Sequence, residues 1–287
     1  ASDFWIFVCF WNFIVMNNII SIHRYQLLET PLRQGALFQV VWKDGSTGYA
    51  DLFPWPEFGD LPLDEQLNDL KNCKISNLLQ RTLYFAKKDA EARTRKQSLF
   101  FSEIKIKNHY LINDFTRFSE FEIDSAFGSV KIKCGRDFIE ERKFVQKIVQ
   151  LNQDMRVRLD FNAKANFNDF TKFFSALSKD ERAHIEFVED PLPMDIETWT
   201  EARKFVPLAA DFEFKEQIEP CFDVLVIKPA RTDMNSALSL VKKWGLKICV
   251  TNSMDHPVGA AHALALVQLV IHDELHSEIH GDLGSRF

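Results

Sequence analysis

The sequence contains 287 residues, of which 46% are hydrophobic, and it carries a formal net charge of −6 at pH 7. This length and composition predict a globular chain with one large domain or two domains of ordinary size. An acidic chain without a basic stripe excludes nucleic acid as the main partner, and five scattered cysteines without C-x-x-C spacing exclude a disulfide framework and a zinc knuckle.

The N-terminal residues 4–16 are almost continuously apolar and are interrupted only by Asn12. No Lys or Arg precedes this run and no small-residue cleavage site follows it, so a signal peptide is not indicated. The run is also shorter than the roughly 20 apolar residues that a membrane-spanning helix needs. We therefore interpret residues 1–15 as an apolar extension and expect no membrane partner. Unpaired cysteines favour the cytoplasm as the location.

Residues 1–100 have the pattern of a small α+β domain. Two β segments, 38–42 and 47–51, flank an Asp-Gly pair that is typical of a hairpin turn. Apolar residues at helical spacing then predict a helix over residues 63–96.

A loop rich in proline and aromatic residues, Phe53-Pro-Trp-Pro-Glu-Phe-Gly59, lies between the hairpin and this helix. Loops of this kind often cover a ligand. We expect Phe58 in this loop, with Arg33 nearby, to shape specificity rather than to perform chemistry.

Strands and helices alternate beyond Ser98, which predicts a parallel sheet, either open or closed into a barrel. No Gly-rich phosphate loop opens the first helix, and this counts against a dinucleotide-binding sheet. The predicted strands are 104–114, 129–134, 155–162, 185–190, 208–211, 224–228 and 246–253. The predicted helices are 137–151, 167–177, 196–205, 236–244 and 259–272.

The faces of the strand 155–162 favour a barrel over residues 101–287. One face is apolar, and the other carries Arg156, Arg158, Asp160 and Asn162. A sheet covered by helices on both sides needs two apolar faces, whereas the inner face of a barrel is polar where it forms the active site.

Three acids, Asp160, Glu189 and Asp211, end three successive predicted strands. Neighbouring strands lie about 4.8 Å apart, so carboxylates at one height converge and repel each other unless a cation lies between them. Oxygen ligands without Cys or His favour Mg²⁺, with Mn²⁺ as an alternative. Each acid alone would usually be a surface or capping residue, but the three together predict a metal site.

Three lysines flank these acids along the predicted strand order. Lys131 and Lys133 lie on the strand before the acids, and Lys228 lies on the strand after them. A lone Lys-x-Lys is usually a solvated strand face. Beside a metal site, however, a lysine can remove the proton α to a carboxylate while the metal stabilises the enediolate. The predicted partner is therefore a small-molecule carboxylate; monomer and homo-oligomer both stay open.

Five motifs together resemble those of the enolase superfamily, in its muconate-lactonising subgroup, and most closely the o-succinylbenzoate synthases of menaquinone biosynthesis. They are Lys131-Ile-Lys133, Arg158-Leu-Asp160-Phe-Asn162, Glu189-Asp-Pro191, Asp211 and Ile227-Lys228-Pro229. The resemblance covers most of residues 17–285. It implies an α/β fold, with an N-terminal α+β capping domain on a modified (β/α)7β TIM-type barrel, and a Mg²⁺-dependent dehydratase.

The resemblance also implies roles for individual residues. Lys133 is the expected base, Lys228 faces the substrate from the other side, and Lys131 completes the catalytic set. The expected Mg²⁺ ligands are Asp160, Glu189 and Asp211. The expected substrate-binding residues are Arg158, Asn162, Phe58 and, for a distal carboxylate, Ser253, Met254 and Gly259.

The chain departs from the family at two places. Asp211-Phe212-Glu213 stands where the family has Asp-Glu-Ser, which leaves the role of Glu213 open. The segment 251–257 replaces a Ser/Gly-rich loop, which leaves its substrate contacts open. An eighth strand is expected near residues 279–283.

Two other functions compete with the dehydratase. An N-acylamino acid racemase or a dipeptide epimerase uses the same metal and lysines, although only one acid, Asp282, lies in the segment where dipeptide epimerases carry a pair. A metal-binding homologue without catalysis is less favoured, because both lysine motifs and all three acids are present. His272, His276 and His280 recur every four residues, and we interpret them as a solvated helix end rather than a metal face.

Overall fold

The structure of the chain, a computed structural model, describes residues 18–26, 34–100, 108–117, 127–211, 220–253 and 256–279, and side chains through residue 268. The strands are β1 (Ile19–Gln26), β2 (Ala36–Trp42), β3 (Thr47–Leu52), β4 (His109–Ile112), β5 (Ser129–Lys133), β6 (Arg156–Asp160), β7 (Ile185–Glu189), β8 (Leu208–Ala210), β9 (Val224–Ile227) and β10 (Lys247–Val250). The helices are α1 (Leu63–Lys71), α2 (Asn77–Thr94), α3 (Phe138–Leu151), α4 (Phe167–Ser175), α5 (Lys179–Ala183), α6 (Ile196–Ala202), α7 (Met234–Trp244) and α8 (Pro257–Ile279).

These elements form two compact units. The first unit lies within Ala1–Ile104, Lys228–Asp233 and Val250–Gly284. The second unit lies within Lys105–Ile227 and Met234–Cys249. Two later segments of the chain therefore pack with the N-terminal residues.

The first unit contains a three-stranded antiparallel sheet in the order β1-β2-β3. Residues of β2 alternate between the two faces, and its buried face packs with α2 in one core. The turn between β2 and β3 contains Gly45 at φ 79°, a left-handed conformation that glycine adopts without strain. The predicted hairpin is therefore confirmed.

The predicted helix over residues 63–96 is wrong as a single helix, because α1 and α2 are separate. The chain turns at Cys73, whose φ is 57°, and the amide of Lys74 donates to the carbonyl of Asp69 at 2.8 Å. A new helix starts at Ser76, whose side chain accepts a hydrogen bond from the amide of Leu79 at 3.1 Å. The apolar spacing continues across this break and does not reveal it. The evidence in the sequence for a new helix is Ser76, because serine is a preferred N-cap residue.

The second unit contains a seven-stranded sheet in the order β10-β9-β8-β7-β6-β5-β4, in which β4 to β9 pair in parallel. The strands follow one another in chain order, so the predicted alternation of strands and helices is confirmed. The short helix α5 was not predicted. It begins with a capping box, in which Ser178 and Glu181 each accept the backbone N–H of the other, a pattern that the Ser-Lys-Asp-Glu sequence carries.

The two faces of β6 differ as expected. Leu159 and Phe161 are fully buried, and the Phe161 ring lies 5.6 Å from the ring of Phe173 on α4, whereas Asp160 points to the opposite face. The apolar face therefore packs under the helices, and the polar face is left for the functional site.

The C-terminal helix α8 contains the predicted helix 259–272 and continues to Ile279. The strand expected near residues 279–283 is wrong at Ile279, which is helical, and the later positions lie outside the described residues. His272 and His276 lie on α8, and His280 also lies outside the description. Among the helices that the structure describes, none is both long enough and apolar enough to cross a membrane.

Candidate active site

The register of three parallel strands brings a lysine and two acids to one height. Lys133 of β5 pairs with Asp160 of β6, and Asp160 pairs with Glu189 of β7. Lys131 lies two residues before Lys133, so its side chain leaves β5 on the same face. Four charged side chains consequently meet at the carboxyl ends of β5, β6 and β7.

These side chains form a connected set of ion pairs. The Nζ of Lys131 lies 2.9 Å from Oδ2 of Asp160 and 2.7 Å from Oε2 of Glu189. The Nζ of Lys133 lies 2.5 Å from the same Oδ2 of Asp160. The side chains of Asp160 and Glu189 are 1% and 5% exposed, and those of Lys131 and Lys133 are 12% and 31% exposed. Lys133 is therefore the member of this cluster that solvent or a substrate reaches most easily.

The turn after Lys133 is fixed by Glu141, a buried acid on α3. Its carboxylate accepts the backbone amides of Gly135 at 3.0 Å, Arg136 at 2.8 Å and Asp137 at 3.2 Å. Three charge-assisted hydrogen bonds to consecutive amides leave this turn little freedom. Glu141 thus holds the end of β5, a role that the sequence analysis missed, because the acid lies within an ordinary amphipathic helix.

Asp211 follows β8 directly and is linked to the same edge of the sheet through its neighbour on β7. Its amide donates to Oδ1 of the buried Asp190 at 2.9 Å. The carbonyl of Asp190, a residue at φ 40°, accepts the amide of Ala163 at 2.7 Å. Asp190 therefore connects the loops after β6, β7 and β8. Its place directly after Glu189 was the only indication in the sequence.

Charges and burial shift the pKa values of the three buried groups. Burial and the negative charges of Asp160 and Asp211 together raise the pKa of Glu189 to about 7, although Lys131 acts to lower it. Burial also acts to raise the pKa of Asp160, but Lys131 and Lys133 outweigh it and hold that pKa below its ordinary value. Burial acts to lower the pKa of Lys131, yet Glu189 and Asp160 raise it above its ordinary value. The repulsion between the acids is thus only partly compensated by the lysines.

The donor set fits a divalent cation in ligand type and in charge. Asp160, Glu189 and Asp211 supply only carboxylate oxygens, the ligands that Mg²⁺ prefers. The effect of Asp160 and Asp211 on the pKa of Glu189 reflects a repulsion that a cation removes. In the part of the chain that the structure describes, no three His, Cys, Asp or Glu side chains already surround one point as metal ligands do. The ammonium of Lys131 lies between Asp160 and Glu189 instead.

Two predicted substrate-binding residues, Arg158 on β6 and Asn162 just after it, have partners within the second unit. The guanidinium of Arg158 contacts both carboxylate oxygens of Glu186, at 2.7 and 3.2 Å, and its Nη1 lies 3.1 Å from Nδ1 of His109. Asn162 has a left-handed backbone with φ 47°, and its amide donates to Oδ1 of Asp160 at 3.2 Å. Arg158 is thus held by Glu186, and Asn162 supports Asp160 through its backbone.

Lys228, Phe58 and Ser253 lie in the first unit. Lys228 directly follows β9, and its carbonyl accepts the amides of Arg231 and Thr232, each at 2.8 Å. Phe58 is exposed at the end of a 3₁₀ turn, and Ser253 is buried with its carbonyl accepting Nε1 of Trp55 at 2.9 Å. Met254, Arg33 and Glu213 lie outside the described residues.

Gly259, near the start of α8, lies against the carboxylate of Asp51 on β3. A Cβ at position 259 would be 2.5 Å from both carboxylate oxygens of Asp51. The same carboxylate accepts the amide of His256 at 2.9 Å. Asp51 was not predicted as a site residue. Its contact gives Gly259 a structural role beside the substrate role that the resemblance implies.

We expect Gly259→Ala to destabilise the protein by about 1–3 kcal/mol, because the added methyl group collides with Asp51 and the His256 hydrogen bond must shift. Thermal unfolding measures this effect. Gly128→Ala is the matched control, because a Cβ at Gly128 meets nothing within 4 Å. An unchanged melting temperature for Gly259→Ala would contradict the described contact.

Two family models match the chain. Residues 20–92 match the o-succinylbenzoate synthase N-terminal domain, and residues 117–284 match the enolase C-terminal domain-like family. The o-succinylbenzoate synthase of Bdellovibrio bacteriovorus is 41% identical over 243 residues, which cover 82% of this chain and 73% of that protein.

Solved structures resemble the chain in fold at lower identity. A mandelate racemase/muconate lactonizing enzyme from Roseiflexus sp. has a TM-score of 0.69 at 18% identity, covering 88% of this chain and 86% of that chain. The o-succinylbenzoate synthase from Thermosynechococcus elongatus, which holds Mg in its active site, has a TM-score of 0.68 at 17% identity, with 86% and 88% covered. A dipeptide epimerase from Enterococcus faecalis has a TM-score of 0.67 at 18% identity, with 86% of each covered.

The fold, the charged cluster and the match to the enolase C-terminal domain-like family define a class of protein, the α/β-barrel enzymes that carry acids and lysines at the carboxyl ends of parallel strands. The fold class predicted from the sequence is therefore confirmed. With both family models and the 41% identical relative, the chain belongs to the o-succinylbenzoate synthase family of the enolase superfamily.

Proposed function

We propose that this chain is an o-succinylbenzoate synthase, a Mg²⁺-dependent carbon–oxygen lyase. The substrate is 2-succinyl-6-hydroxy-2,4-cyclohexadiene-1-carboxylate. The C–H bond beside its carboxylate and the neighbouring C–O bond break, a C=C bond forms that completes an aromatic ring, and water leaves. The observation that supports this proposal best is the cluster in which Lys131 and Lys133 contact Asp160 and Glu189 at aligned strand ends.

Lys133 is the proposed base. It is the more exposed of the two lysines, and the turn that follows it is held rigidly by Glu141. Its amine takes the α-proton, and the resulting ammonium gives a proton to the departing hydroxyl, which leaves as water and regenerates the base. One group thus serves both proton transfers when the proton and the hydroxyl leave from the same face.

Asp160, Glu189 and Asp211 are the proposed Mg²⁺ ligands. When bound, Mg²⁺ supplies positive charge that stabilises the negative charge developing on the substrate carboxylate. Lys131 contacts Asp160 and Glu189 at once, so it fixes the relative position of these two acids. Asn162 holds Asp160 through its amide, and Asp190 holds the backbone of Asp211.

Lys228, the first residue after β9, is proposed to act as a fixed positive charge for the intermediate. Racemisation of an N-acylamino acid instead requires a base on each face of the planar intermediate, so both Lys133 and Lys228 would be indispensable. We expect Lys228→Arg, which keeps the charge but cannot act as a base, to retain measurable dehydration and to lose any racemase activity. Racemase activity at the wild-type level in this variant would contradict that division of roles.

The direct test supplies the purified chain with the cyclohexadiene carboxylate and Mg²⁺ and follows formation of the aromatic product. A parallel panel of N-acylamino acids and dipeptides in D₂O reports racemisation or epimerisation as solvent deuterium entering the α position. We expect dehydration to exceed every exchange reaction in kcat/KM. Turnover of a dipeptide or an N-acylamino acid without dehydration would favour the epimerase or racemase alternative instead. If no compound is turned over, the alternative of a metal-binding homologue without catalysis is favoured.

A further inference from the structure

The segment Lys228–Asp233 is a tight turn that packs within the first unit. The carbonyl of Lys228 accepts two amides, those of Arg231 and Thr232, and its own amide donates to Oγ1 of Thr232 at 3.3 Å. The backbone of Lys228 is therefore fixed relative to Arg231 by short-range hydrogen bonds. Any group that anchors Arg231 also anchors the lysine.

Two contacts attach this turn to the β1-β2-β3 sheet and its helices. Ala230 packs against the buried core that β2, β3 and α2 form. Asp233 lies 3.7 Å from Nη1 of Arg81 on α2. The position of the turn thus depends on the N-terminal residues.

The third contact is an ion pair between Arg231 and Asp60, which is largely shielded from solvent. The Arg231 Nη1 donates to Oδ2 of Asp60, and its Nη2 donates to the carbonyl of Phe58 at 3.3 Å. The guanidinium also lies 5.7 Å from the centre of the Phe58 ring, within the range of a cation–π interaction. One side chain therefore contacts a charge, a carbonyl and a ring of the same loop.

The loop that Arg231 contacts is itself tied together. The amide of Trp55 donates to Oδ2 of Asp60 at 2.8 Å, and the rings of Trp55 and Phe58 lie 5.4 Å apart. The indole Nε1 of Trp55 donates to the carbonyl of Ser253. Asp60 is consequently the shared acceptor that joins the loop backbone to Arg231.

We infer that Arg231 is a positioning residue that couples the aromatic loop, residues 53–60, to the backbone of Lys228. The inference rests on the proposed function for its catalytic meaning, because it is Lys228 whose position the coupling sets. The coupling itself does not depend on that function. If either Arg231 or Asp60 is replaced, both the aromatic loop and the turn 228–233 become more mobile. The loop, which the sequence predicts to cover a ligand and to shape specificity, thereby also positions Lys228.

Hydrogen–deuterium exchange tests the coupling without reference to activity. We expect Asp60→Asn to raise the exchange rates of the Arg231 and Thr232 amides about tenfold, since a neutral acceptor weakens the charge-assisted hydrogen bond from Arg231 and so loosens the turn. The asparagine oxygen still accepts the Trp55 amide, so this change removes the charge alone. We expect Arg231→Met to raise the exchange rate of the Trp55 amide by a similar factor.

The matched control is Arg203→Met, which removes the guanidinium of an Arg–Asp pair in the second unit, where Nη2 of Arg203 lies 2.8 Å from Oδ1 of Asp223. It is expected to leave exchange in residues 53–60 and 228–233 unchanged. Unchanged exchange in both segments for Asp60→Asn and for Arg231→Met would overturn the inference. So would an equal change in the Arg203→Met control.

Kinetics then separate the inference from the proposed function. A positioning residue acts through the lysine, so Arg231→Met should lower kcat about tenfold in the wild-type background and cause no further loss in Lys228→Ala. A full additional loss in the Lys228→Ala background would overturn the positioning role. Wild-type kcat in Lys228→Ala alone would instead contradict the proposed function of Lys228, and the exchange result would still decide whether the two segments are coupled.

Discussion

Replacing Lys133 by alanine is expected to lower kcat for dehydration by at least about 10³-fold, because a positioned general base contributes roughly 10²–10⁴-fold and here the same group also protonates the leaving hydroxyl. KM should change little, since the amine acts on the proton and not on substrate binding. The measurement is steady-state turnover of the cyclohexadiene carboxylate.

The fold should tolerate this substitution. Lys133 is about one-third exposed, and Asp160 keeps its second partner, Lys131, at 2.9 Å. An unchanged melting temperature would show that lost turnover reflects lost chemistry. The matched control is Lys143→Ala on α3, where an exposed lysine forms an i,i+3 pair with Glu140. If Lys133→Ala exchanges the substrate α-proton with D₂O at the wild-type rate, another group is the base.

Replacing Glu189 by glutamine is expected to abolish Mg²⁺-dependent activity and to weaken Mg²⁺ binding by at least about 100-fold, because a neutral amide replaces one of three anionic oxygen ligands. Calorimetric titration of Mg²⁺ measures the binding without reference to turnover. Chelation of the wild-type protein should remove activity, and added Mg²⁺ should restore it.

Glu140→Gln is the matched control for this experiment, because it makes the same chemical change at an exposed position. It should leave both Mg²⁺ affinity and turnover unaltered. Full activity of Glu189→Gln, or of the wild-type protein after exhaustive removal of metal, would refute the assignment of Asp160, Glu189 and Asp211 as ligands. An unchanged Mg²⁺ affinity of Glu189→Gln in the calorimetric titration would refute it as well.

The charged cluster was predictable because strand geometry has a simple period. Side chains alternate between faces, so Lys131 and Lys133 had to share a face, and the acids had to converge wherever parallel strands end together. The sequence could not give the shift in register between β6 and β7, where Val157 pairs with Ile185 but Arg158 pairs with Phe187. Glu186 was unexpected as the partner of Arg158 for that reason.

The contacts of the late segments within the first unit could not be predicted, because they join residues far apart in the chain. Asp60 and Arg231 are 171 positions apart, and Asp51 and His256 are 205 positions apart. No local propensity or periodicity relates such residues. Each pair forms because segments after residue 227 pack with the N-terminal sheet. The alternation of strands and helices in the sequence does not indicate this packing.

This interleaving of the chain has a consequence for the recombination of related enzymes. A chimera made by a single junction near residue 104 would give Lys228–Asp233 and the described residues within Val250–Gly284 a foreign N-terminal surface to pack on. Ala230, Arg231 and His256 would then face unmatched partners, although every barrel residue remained native. Functional hybrids in this family would therefore have to take the two late segments from the same parent as the first hundred residues. These three stretches of sequence would then recombine as one unit.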